Sequence, residues 1–112
     1  MTFTLRVRPA ADLDIDEAVL YIMRDSAEQS ARFYGAVEVT YHQIRMRPHA
    51  WPRFIALEHP RLSTLRHRPV VGFPNHLVVY RIDDDVVLVL RILHAARDLP
   101  AVLARDIEPE PE

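Results

Sequence analysis

The sequence has no cysteine, no lysine and only two glycines among its 112 residues. Without cysteine the chain cannot form structural disulfides or thiolate metal sites, and it suits a reducing cytoplasm, where we expect it to work. Gly35 and Gly72 lie far apart, so there is no glycine-rich phosphate loop and we expect no nucleotide binding. No apolar run approaches the roughly 20 residues that cross a bilayer. The N-terminus also lacks the layout of a signal peptide, so we expect no membrane association.

All 14 basic residues are arginine, and 16 acidic residues bring the formal net charge to −2. Residues 106–112 hold four of the acids, so residues 1–105 carry 14 arginines against 12 acids. A nucleic-acid-binding domain usually has a clearly basic balance, and we therefore expect no strong direct binding to nucleic acid. Arginine keeps its proton in proteins, so it can stabilise a phosphate but cannot act as a general base.

The length and composition predict one domain over residues 1–105, followed by an acidic tail over residues 106–112. Hydrophobic residues make up 49% of the chain, which suffices for a globular core without disulfides or metals. In the tail the glutamates repel one another and the prolines withhold backbone donors, so we expect it to be disordered.

Hydrophobic periodicity predicts a strand and then a helix at the start of the chain. Residues 3–8 alternate between apolar and polar side chains, which is typical of a half-buried strand, and Pro9 ends it. From Ile15 to Met23 the apolar side chains fall on one helical stripe, and aspartates crowd the first turns, where the helix dipole favours anions.

A second helix follows almost at once. Ser26 and Gln29 match a capping box, in which the serine side chain caps the first turn, and Asp25 with Glu28 offers the alternative register. The apolar stripe of this helix runs from Phe33 to Ile44, and Pro48 lies just past its end. Because the joint between the two helices is short, we expect an antiparallel helical hairpin.

Three strand signals follow a proline-containing loop over residues 48–62. They cover residues 64–70, 76–82 and 86–93. Residues 83–85 are three aspartates and form a tight polar connection between the last two strands. A final short helix is predicted from Asp98, as its N-cap, to about Arg105. The predicted fold is α+β, with the helical hairpin packed on one face of a mostly antiparallel four-stranded sheet.

The hairpin of the last two strands predicts which side chains face away from the helices. If Ile82 lies opposite Val86, the even-numbered side chains share one apolar face, which we place under the helices. These are Val78, Tyr80, Ile82, Val86, Leu88, Leu90 and Ile92. The odd-numbered side chains share an uncovered face, namely Leu77, Val79, Arg81, Val87, Val89, Arg91 and Leu93. Arginines among exposed aliphatic groups are typical of an interface. They can also be merely solvated, and a shift of one residue would reverse the two faces.

Several segments together resemble the ParE/RelE superfamily of toxins. The C-terminal half contains Val79-Tyr80-Arg81-Ile82, an acidic turn, and then Leu90-Arg91-Ile92-Leu93-His94-Ala95-Ala96-Arg97-Asp98-Leu99-Pro100. In the N-terminal half the resemblance lies in residues 10–15, Ala31-Arg32-Phe33 and Arg47-Pro48, and further on in Leu65-Arg66 and Val70-Val71-Gly72-Phe73. It spans residues 5–103 and is closest to the ParE branch and the related plasmid stabilisation proteins.

This resemblance implies a fold like the one predicted above, and a function as the toxin of a type II toxin–antitoxin system. It implies a cognate, ParD-like antitoxin as partner, with a disordered arm that folds as it wraps the toxin. ParE-like members act on DNA gyrase and RelE-like members cut messenger RNA on the ribosome. We therefore expect gyrase as the target, with ribosome-dependent RNA cleavage as the alternative. A non-toxic relative that only binds its antitoxin is a third possibility.

The residues expected to contact the target are Arg81, Arg91, His94 and Arg97. Cutting RNA requires a general base, a general acid and cations around the phosphate. Among these four, only His94 can act as an acid or a base, and Tyr80 is predicted to face the core. The set is therefore incomplete for a ribonuclease, and no catalytic residue is assigned unless His94 serves in one.

The residues expected to bind the antitoxin are Leu77, Val79, Val87 and Val89 on the uncovered face, with Trp51 and Phe54 from the loop. Loop aromatics more commonly pack on their own core, which is the alternative for the last two. The remaining histidines, His42, His49, His59, His67 and His76, contain no pair with the spacing H-x-x-x-H. We therefore expect no metal site and no cofactor.

Overall fold

The computed structural model describes residues 2–54, 62–97 and 99–107. Its elements are β1 (Thr4–Val7), α1 (Pro9–Met23), α2 (Ala27–Met46), β2 (Arg66–Val70), β3 (Phe73–Asp83), β4 (Val86–His94) and α3 (Leu99–Ile107). Two 3-10 turns, Pro48–Ala50 and Leu62–Thr64, precede β2. The predicted α+β fold is confirmed. The described residues do not include Asp98, residues 55–61 with His59, or residues 108–112 of the predicted tail.

Helix α2 begins where the capping pattern predicted. The Ser26 side chain accepts a hydrogen bond from the backbone N–H of Gln29, with an N···O distance of 3.1 Å. This bond satisfies one of the donors that the first turn of a helix leaves free. Pro9 lies in the first turn of α1, where its fixed φ suits the helix and its missing N–H is not needed. The side chains that α1 and α2 bury recur at helical spacing: Ala11, Asp14, Ile15 and Ala18 in α1, and Ser30, Phe33, Val37, Thr40 and Ile44 in α2.

The sheet has the strand order β1-β4-β3-β2. β1 is parallel to β4, whereas the pairs β2–β3 and β3–β4 are antiparallel. Helices α1 and α2 pack on one face of the sheet, over a cluster that includes Phe33, Ile44, Val78 and Tyr80. Gly72 turns the chain between β2 and β3 with a φ of 79°, which glycine adopts without a steric cost.

The predicted register of the β3–β4 hairpin is wrong by one residue. Asp83 pairs with Val86, where the prediction placed Ile82. The turn contains only Asp84 and Asp85, and Asp84 has a φ of 53°, which aspartate tolerates better than most residues do. Because side chains alternate along a strand, this shift exchanges the two faces in the first half of β4. Val87 and Val89 are fully buried beneath α1 and α2, in the positions predicted for Leu88 and Leu90.

A β-bulge at Leu90 adds a second residue to the shift, which restores the predicted faces in the second half of β4. Val89 and Arg91 pair with consecutive residues of β3, so Leu90 is an extra residue without a partner on that strand. Beyond the bulge, Ile92 lies beneath the helices and Leu93 on the opposite side, as predicted. One turn and one bulge therefore decide which side chains of β4 each face of the sheet buries.

The face of the sheet opposite α1 and α2 is covered, so the prediction of an open apolar face is wrong. The buried residues on this side are Val79, Leu90 and Leu93 of the sheet, with Phe54, Leu62, Leu65 and Leu103 packed against them. The covering residues come from α3 and from the segments on either side of residues 55–61. Arg81, two residues from Val79 on β3, lies on this side with 35% of its side chain exposed.

Tyr80 joins β3 to the segment that follows α2, and this bond can be tested. Its hydroxyl donates to the carbonyl of Pro48, with an O···O distance of 2.6 Å. Tyr80→Phe leaves a buried carbonyl without a donor, so we expect the free energy of unfolding in urea to fall by about 1–2 kcal/mol. The control is Tyr34→Phe, which removes an exposed bond to Asp16 and should cost less than about 0.5 kcal/mol. Equal losses in both variants would contradict this.

Candidate functional site

The four residues predicted to contact a target are divided between two ends of the sheet. Arg81 lies near the β3–β4 turn and pairs with Asp83, with an N···O distance of 2.9 Å. Arg91, His94 and Arg97 lie at the other end, beside α1, where there is a cleft of about 360 Å³. The side chains around this cleft include Asp14, Glu17, Tyr21, His76, His94 and Arg97. The structure thus brings Arg91, His94 and Arg97 close to side chains of α1 that were not predicted to form a site. These are Asp14, Glu17 and Tyr21.

Asp14 connects α1 to β4 at this cleft. Its Oδ2 accepts hydrogen bonds from Nε of Arg91, at 2.7 Å, and from the backbone N–H of Ile92, at 2.9 Å. Its Oδ1 accepts from Nη2 of the same arginine, at 2.8 Å. The side chains of Asp14 and Arg91 are only 6% and 17% exposed. Burying two charged groups costs free energy, and a folded protein tolerates it only where each group has several well-placed hydrogen-bond partners.

The position of Asp14 follows from the short first strand. β1 ends at Val7, opposite Val89, whereas β4 continues to His94. The backbone N–H of Ile92 lies in this continuation, and Asp14 on α1 accepts its hydrogen bond. The helix that follows β1 thus supplies an acceptor where the strand no longer does. The prediction that Arg91 projects from an open face is wrong, because this arginine is bound to α1.

Arg97 reaches back toward the same helix. Its Nη2 lies 3.2 Å from Oε1 of Glu17, and the two side chains are 45% and 67% exposed. An exposed pair of this kind contributes little to stability. It does orient the guanidinium along α1, so Arg97 is both accessible and already paired with a carboxylate.

Two histidines face each other in the cleft. His76 pairs with His94 across β3 and β4, and the ring centroids lie 5.1 Å apart in an edge-to-face arrangement. Tyr21 of α1 contacts the ring of His94, and Phe33 of α2 contacts the ring of His76. The backbone N–H of Ala96 donates to Nδ1 of His94, at 3.1 Å. In the neutral ring of His94 the proton therefore lies on Nε2.

His76 is buried, and its pKa is lower than that of a free histidine. The main cause is burial, which disfavours the charged ring, and the nearby His94 adds to the effect. His76 was not among the residues predicted to form a site, because the histidine spacing gave no sign of a metal site. The pairing of His76 with His94 could not be found without the register of the hairpin, because the bulge at Leu90 determines which residue of β4 lies opposite His76.

The cleft can exchange protons but does not offer unpaired arginines to a phosphate. Its two imidazoles can act as acid and base. Arg91 is bound to Asp14 and Arg97 to Glu17, so either guanidinium would have to leave its carboxylate before it could bind another anion. The described side chains therefore suit contact with a polar surface better than phosphate chemistry.

Most of the side chains predicted to bind a partner are in the core. Val79, Val87 and Val89 are each 0% exposed. Phe54 is also buried and packs on His67, and Trp51 is half-buried with the guanidinium of Arg68 over its ring, 4.0 Å from the centroid. Leu77 is half-buried. The expectation that these side chains form an open surface is wrong, because the register shift and the covering of the second face bury them.

Within the described residues, no three histidine, aspartate or glutamate side chains are grouped so that they could hold a metal ion. In the same part of the chain, no helix has both the length and the apolar character needed to span a membrane.

Comparisons with known proteins relate most of the chain, rather than the cleft itself, to one family. The family model described as the ParE toxin of the type II toxin–antitoxin system parDE matches residues 5–99. A chain of the chromosomal ParDE TA system from P. aeruginosa has a TM-score of 0.65 and 15% identity, over 83% of this chain and 96% of that one. A chain of the toxin–antitoxin complex RelBE2 from Mycobacterium tuberculosis has a TM-score of 0.53 and 20% identity, over 84% and 99% of the two chains. The comparison with curated proteins finds no match.

The bond between Asp14 and Arg91 predicts a large effect of a nearly isosteric change. Asp14→Asn keeps the shape of the side chain but removes the charge that faces the guanidinium. We expect the free energy of unfolding, measured in urea, to fall by about 3 kcal/mol, because the variant leaves a mostly buried cation without its counter-charge. Glu17→Gln breaks the exposed pair at the same cleft and should cost less than about 1 kcal/mol. Equally small losses in both variants would show that the buried pair contributes no more to the free energy of unfolding than the exposed pair does.

His76 predicts a loss of stability in mild acid. Its pKa in the folded chain lies below the value of 6.5 that applies to a free histidine, so the unfolded chain binds more protons as the pH falls below that value. The contribution of neutral His76 to the free energy of unfolding is complete above that pH and is lost as the pH falls. We expect the melting temperature to drop less between about pH 7.5 and pH 5.5 in His76→Phe than in the wild type. Burial of His67 acts in the same direction, so part of the drop should remain. An identical drop in both proteins would contradict this role.

Proposed function

The chain belongs to the ParE toxin family of type II toxin–antitoxin systems, and we propose that it inhibits bacterial growth by binding DNA gyrase until a cognate, ParD-like antitoxin neutralises it. The proposed contact surface for gyrase is the cleft beside α1, with His94 and Arg97 as contact residues. Arg81 is a second contact at the other end of the sheet. Arg91 acts indirectly, because its bonds to Asp14 fix α1 against β4.

The pairing of the arginines is the observation that favours binding over RNA cleavage. A ribonuclease stabilises the charge that develops on the phosphate with cations that are ready to receive it. Here each of the three proposed arginines has a carboxylate of the same chain within 3.2 Å: Asp83 for Arg81, Asp14 for Arg91 and Glu17 for Arg97. A protein partner can contact such pairs at their exposed edges without breaking them.

The proposed antitoxin is supported by the two solved relatives, which are described as part of a ParDE TA system and as a RelBE2 toxin–antitoxin complex. We expect its arm to be disordered alone and to fold on contact, which lets a short segment cover a long surface. Val79, Val87 and Val89 cannot make this contact in the fold described here, because they are fully buried. The arm must therefore bind a surface that the folded chain exposes.

A ribosome-dependent ribonuclease is the second candidate, and the pairing of His76 with His94 is the observation that favours it. One neutral imidazole could take the proton of a ribose 2′-hydroxyl while the other, protonated, gives a proton to the leaving 5′-oxygen. The attack of the 2′-oxygen on phosphorus would leave a cyclic phosphate. This candidate ranks second because His76 is buried and the nearby arginines are already paired.

One experiment separates the two candidates. The chain is expressed from an inducible promoter in a bacterium that carries an SOS reporter, and the 5′ ends of transcripts are sequenced. We expect growth arrest with SOS induction and intact transcripts, and we expect the purified chain to inhibit supercoiling by gyrase. Arrest with cleaved transcripts and no SOS response would reject the gyrase target, and the absence of any arrest would reject both candidates.

His76→Phe sharpens this experiment, because it keeps an aromatic ring beside Phe33 but removes the imidazole. A gyrase-binding toxin should retain its toxicity in this variant, because His76 is buried and offers little surface to a partner. A ribonuclease that uses both histidines should lose its toxicity. His42→Ala, an exposed change on α2, is the matched control and should be neutral under either mechanism. A non-toxic His76→Phe variant that melts like the wild type would overturn our preference for gyrase.

A further inference from the structure

The acidic and the basic residues occupy different parts of the chain. Residues 39–82 contain seven of the 14 arginines but only one of the 16 acids, Glu58. The other acids lie before residue 39 or after residue 82. The net charge of −2 therefore averages over a region with a strong positive excess, and such a region can attract anions although the chain as a whole is slightly acidic.

Four of these arginines belong to a place that we call the β2 corner, where the outer strand β2 lies beside the end of α2. Arg66 and Arg68 lie on the face of β2 that the helices cover, because their partners on β3 are buried beneath the helices. The backbone of Arg53 bridges that of Arg66, and Arg47 caps the C-terminal end of α2. The β2 corner consists of Arg47, Arg53, Arg66 and Arg68.

Uncharged groups hold the two arginines of β2 in place. Nη1 of Arg66 donates to the backbone carbonyl of Trp51, at 2.7 Å. Nη2 of Arg68 donates to the side-chain amide oxygen of Gln43 on α2, at 2.8 Å. These hydrogen bonds tie β2 to α2 and to the segment that follows it. They orient both guanidinium groups without neutralising their charge.

The β2 corner differs from the cleft beside α1 in how its charges are balanced. Arg91 and Arg97 at that cleft each have a carboxylate within 3.2 Å. Within the described residues, no arginine of the β2 corner forms an ion pair with a carboxylate. Arg47 and Arg53 are exposed, and the other two are half-buried. The corner thus presents several cations together that an anion can approach without displacing a carboxylate.

We propose that the β2 corner binds the phosphate backbone of duplex DNA. The choice of DNA rests on the proposed function above, because gyrase acts on duplex DNA. A duplex carries one negative charge for about every 1.7 Å of its length, so several of the four cations can contact phosphates at once. The fork of N–H donors on each arginine suits the oxygens of a phosphate, and the group keeps its charge in proteins.

The loop aromatics beside the corner favour a duplex over a single strand. Proteins that bind single strands stack the bases on accessible aromatic rings. Here the ring of Trp51 is half-buried and has the guanidinium of Arg68 over it, 4.0 Å from the centroid. Phe54 is buried. Neither ring can receive a base, whereas a duplex needs none because its own bases are already stacked.

The small number of cations sets the strength of this binding. Each phosphate contact with duplex DNA contributes about −0.9 to the slope of log K against log salt concentration, so four contacts give a slope of about −3 to −4. Binding of this kind is weak at physiological salt and strengthens steeply at low salt. It agrees with the expectation, from the net charge, of no strong binding to nucleic acid.

The test measures the fluorescence anisotropy of a labelled duplex of about 20 base pairs with the full chain, over about 25 to 200 mM salt. We expect binding at the low end of this range, with the slope given above. Arg47→Gln with Arg53→Gln should reduce the magnitude of the slope by about 2 and weaken binding at low salt by at least about tenfold. No binding of the duplex at low salt would overturn the proposal.

Arg6→Gln with Arg24→Gln is the matched control, because it makes the same change in net charge at exposed sites away from the corner. It should leave the slope unaltered. All four substituted side chains are exposed and form no ion pair within the described residues, so both variants should melt like the wild type. Equal losses of binding in the two variants would show that net charge alone attracts the DNA, and would reject the corner as a site.

Two competing ligands test the choice of a duplex. One is a single strand of the same length, and the other is a peptide of about ten glutamates, which matches a charged protein segment without phosphates. We expect both to bind more weakly than the duplex at the same salt concentration. Tighter binding of the single strand would indicate base stacking, and tighter binding of the peptide would indicate an acidic protein partner. Either result would overturn the proposal.

A supercoiling assay keeps this proposal separate from the gyrase target. A chain that binds the duplex through the corner but leaves supercoiling by gyrase unchanged would refute the target and keep the DNA site. A chain that inhibits supercoiling but does not bind the duplex would refute the DNA site and keep the target.

Discussion

The fold depends on how Asp14 completes the sheet beyond the end of β1. A four-residue strand cannot cover a nine-residue neighbour, so β4 continues where no strand pairs with it. The carboxylate of Asp14 accepts from the backbone of Ile92 and is itself held by Arg91. One side chain thus fixes the distance between α1 and β4. The cleft follows from that distance, because α1 forms one wall and the ends of β3 and β4 form the other.

The helices were predictable because their signals are local. The cap at Ser26 and the apolar stripes depend on residues within a few positions of each other, and the structure confirms them. The register of the hairpin was not predictable, because three consecutive aspartates allow a turn of two or three residues. From Val86 to Leu90 every side chain is apolar, so alternation could not show which half is buried beneath the helices.

The candidate site was predictable only in part, for the same reason. His94 and Arg97 stood out by their positions near the end of the last strand. Asp14 did not, because an acidic residue in the first turns of a helix is ordinarily explained by the helix dipole. His76 could be connected to His94 only through a register that includes the bulge. Contacts between residues distant in sequence decided the chemistry of this cleft, and the sequence carries little information about them.

The sheet is buried on both faces, and the two apolar clusters have no buried residue in common. Each side can therefore loosen without removing the other's packing. Transient detachment of α3 would expose Leu90 and Leu93 while Phe33, Val37 and Ile44 stay in place beneath the helical hairpin. Such partial opening requires less free energy than global unfolding. In amide exchange, opening of this kind would expose α3 at a lower cost in free energy than the central strands.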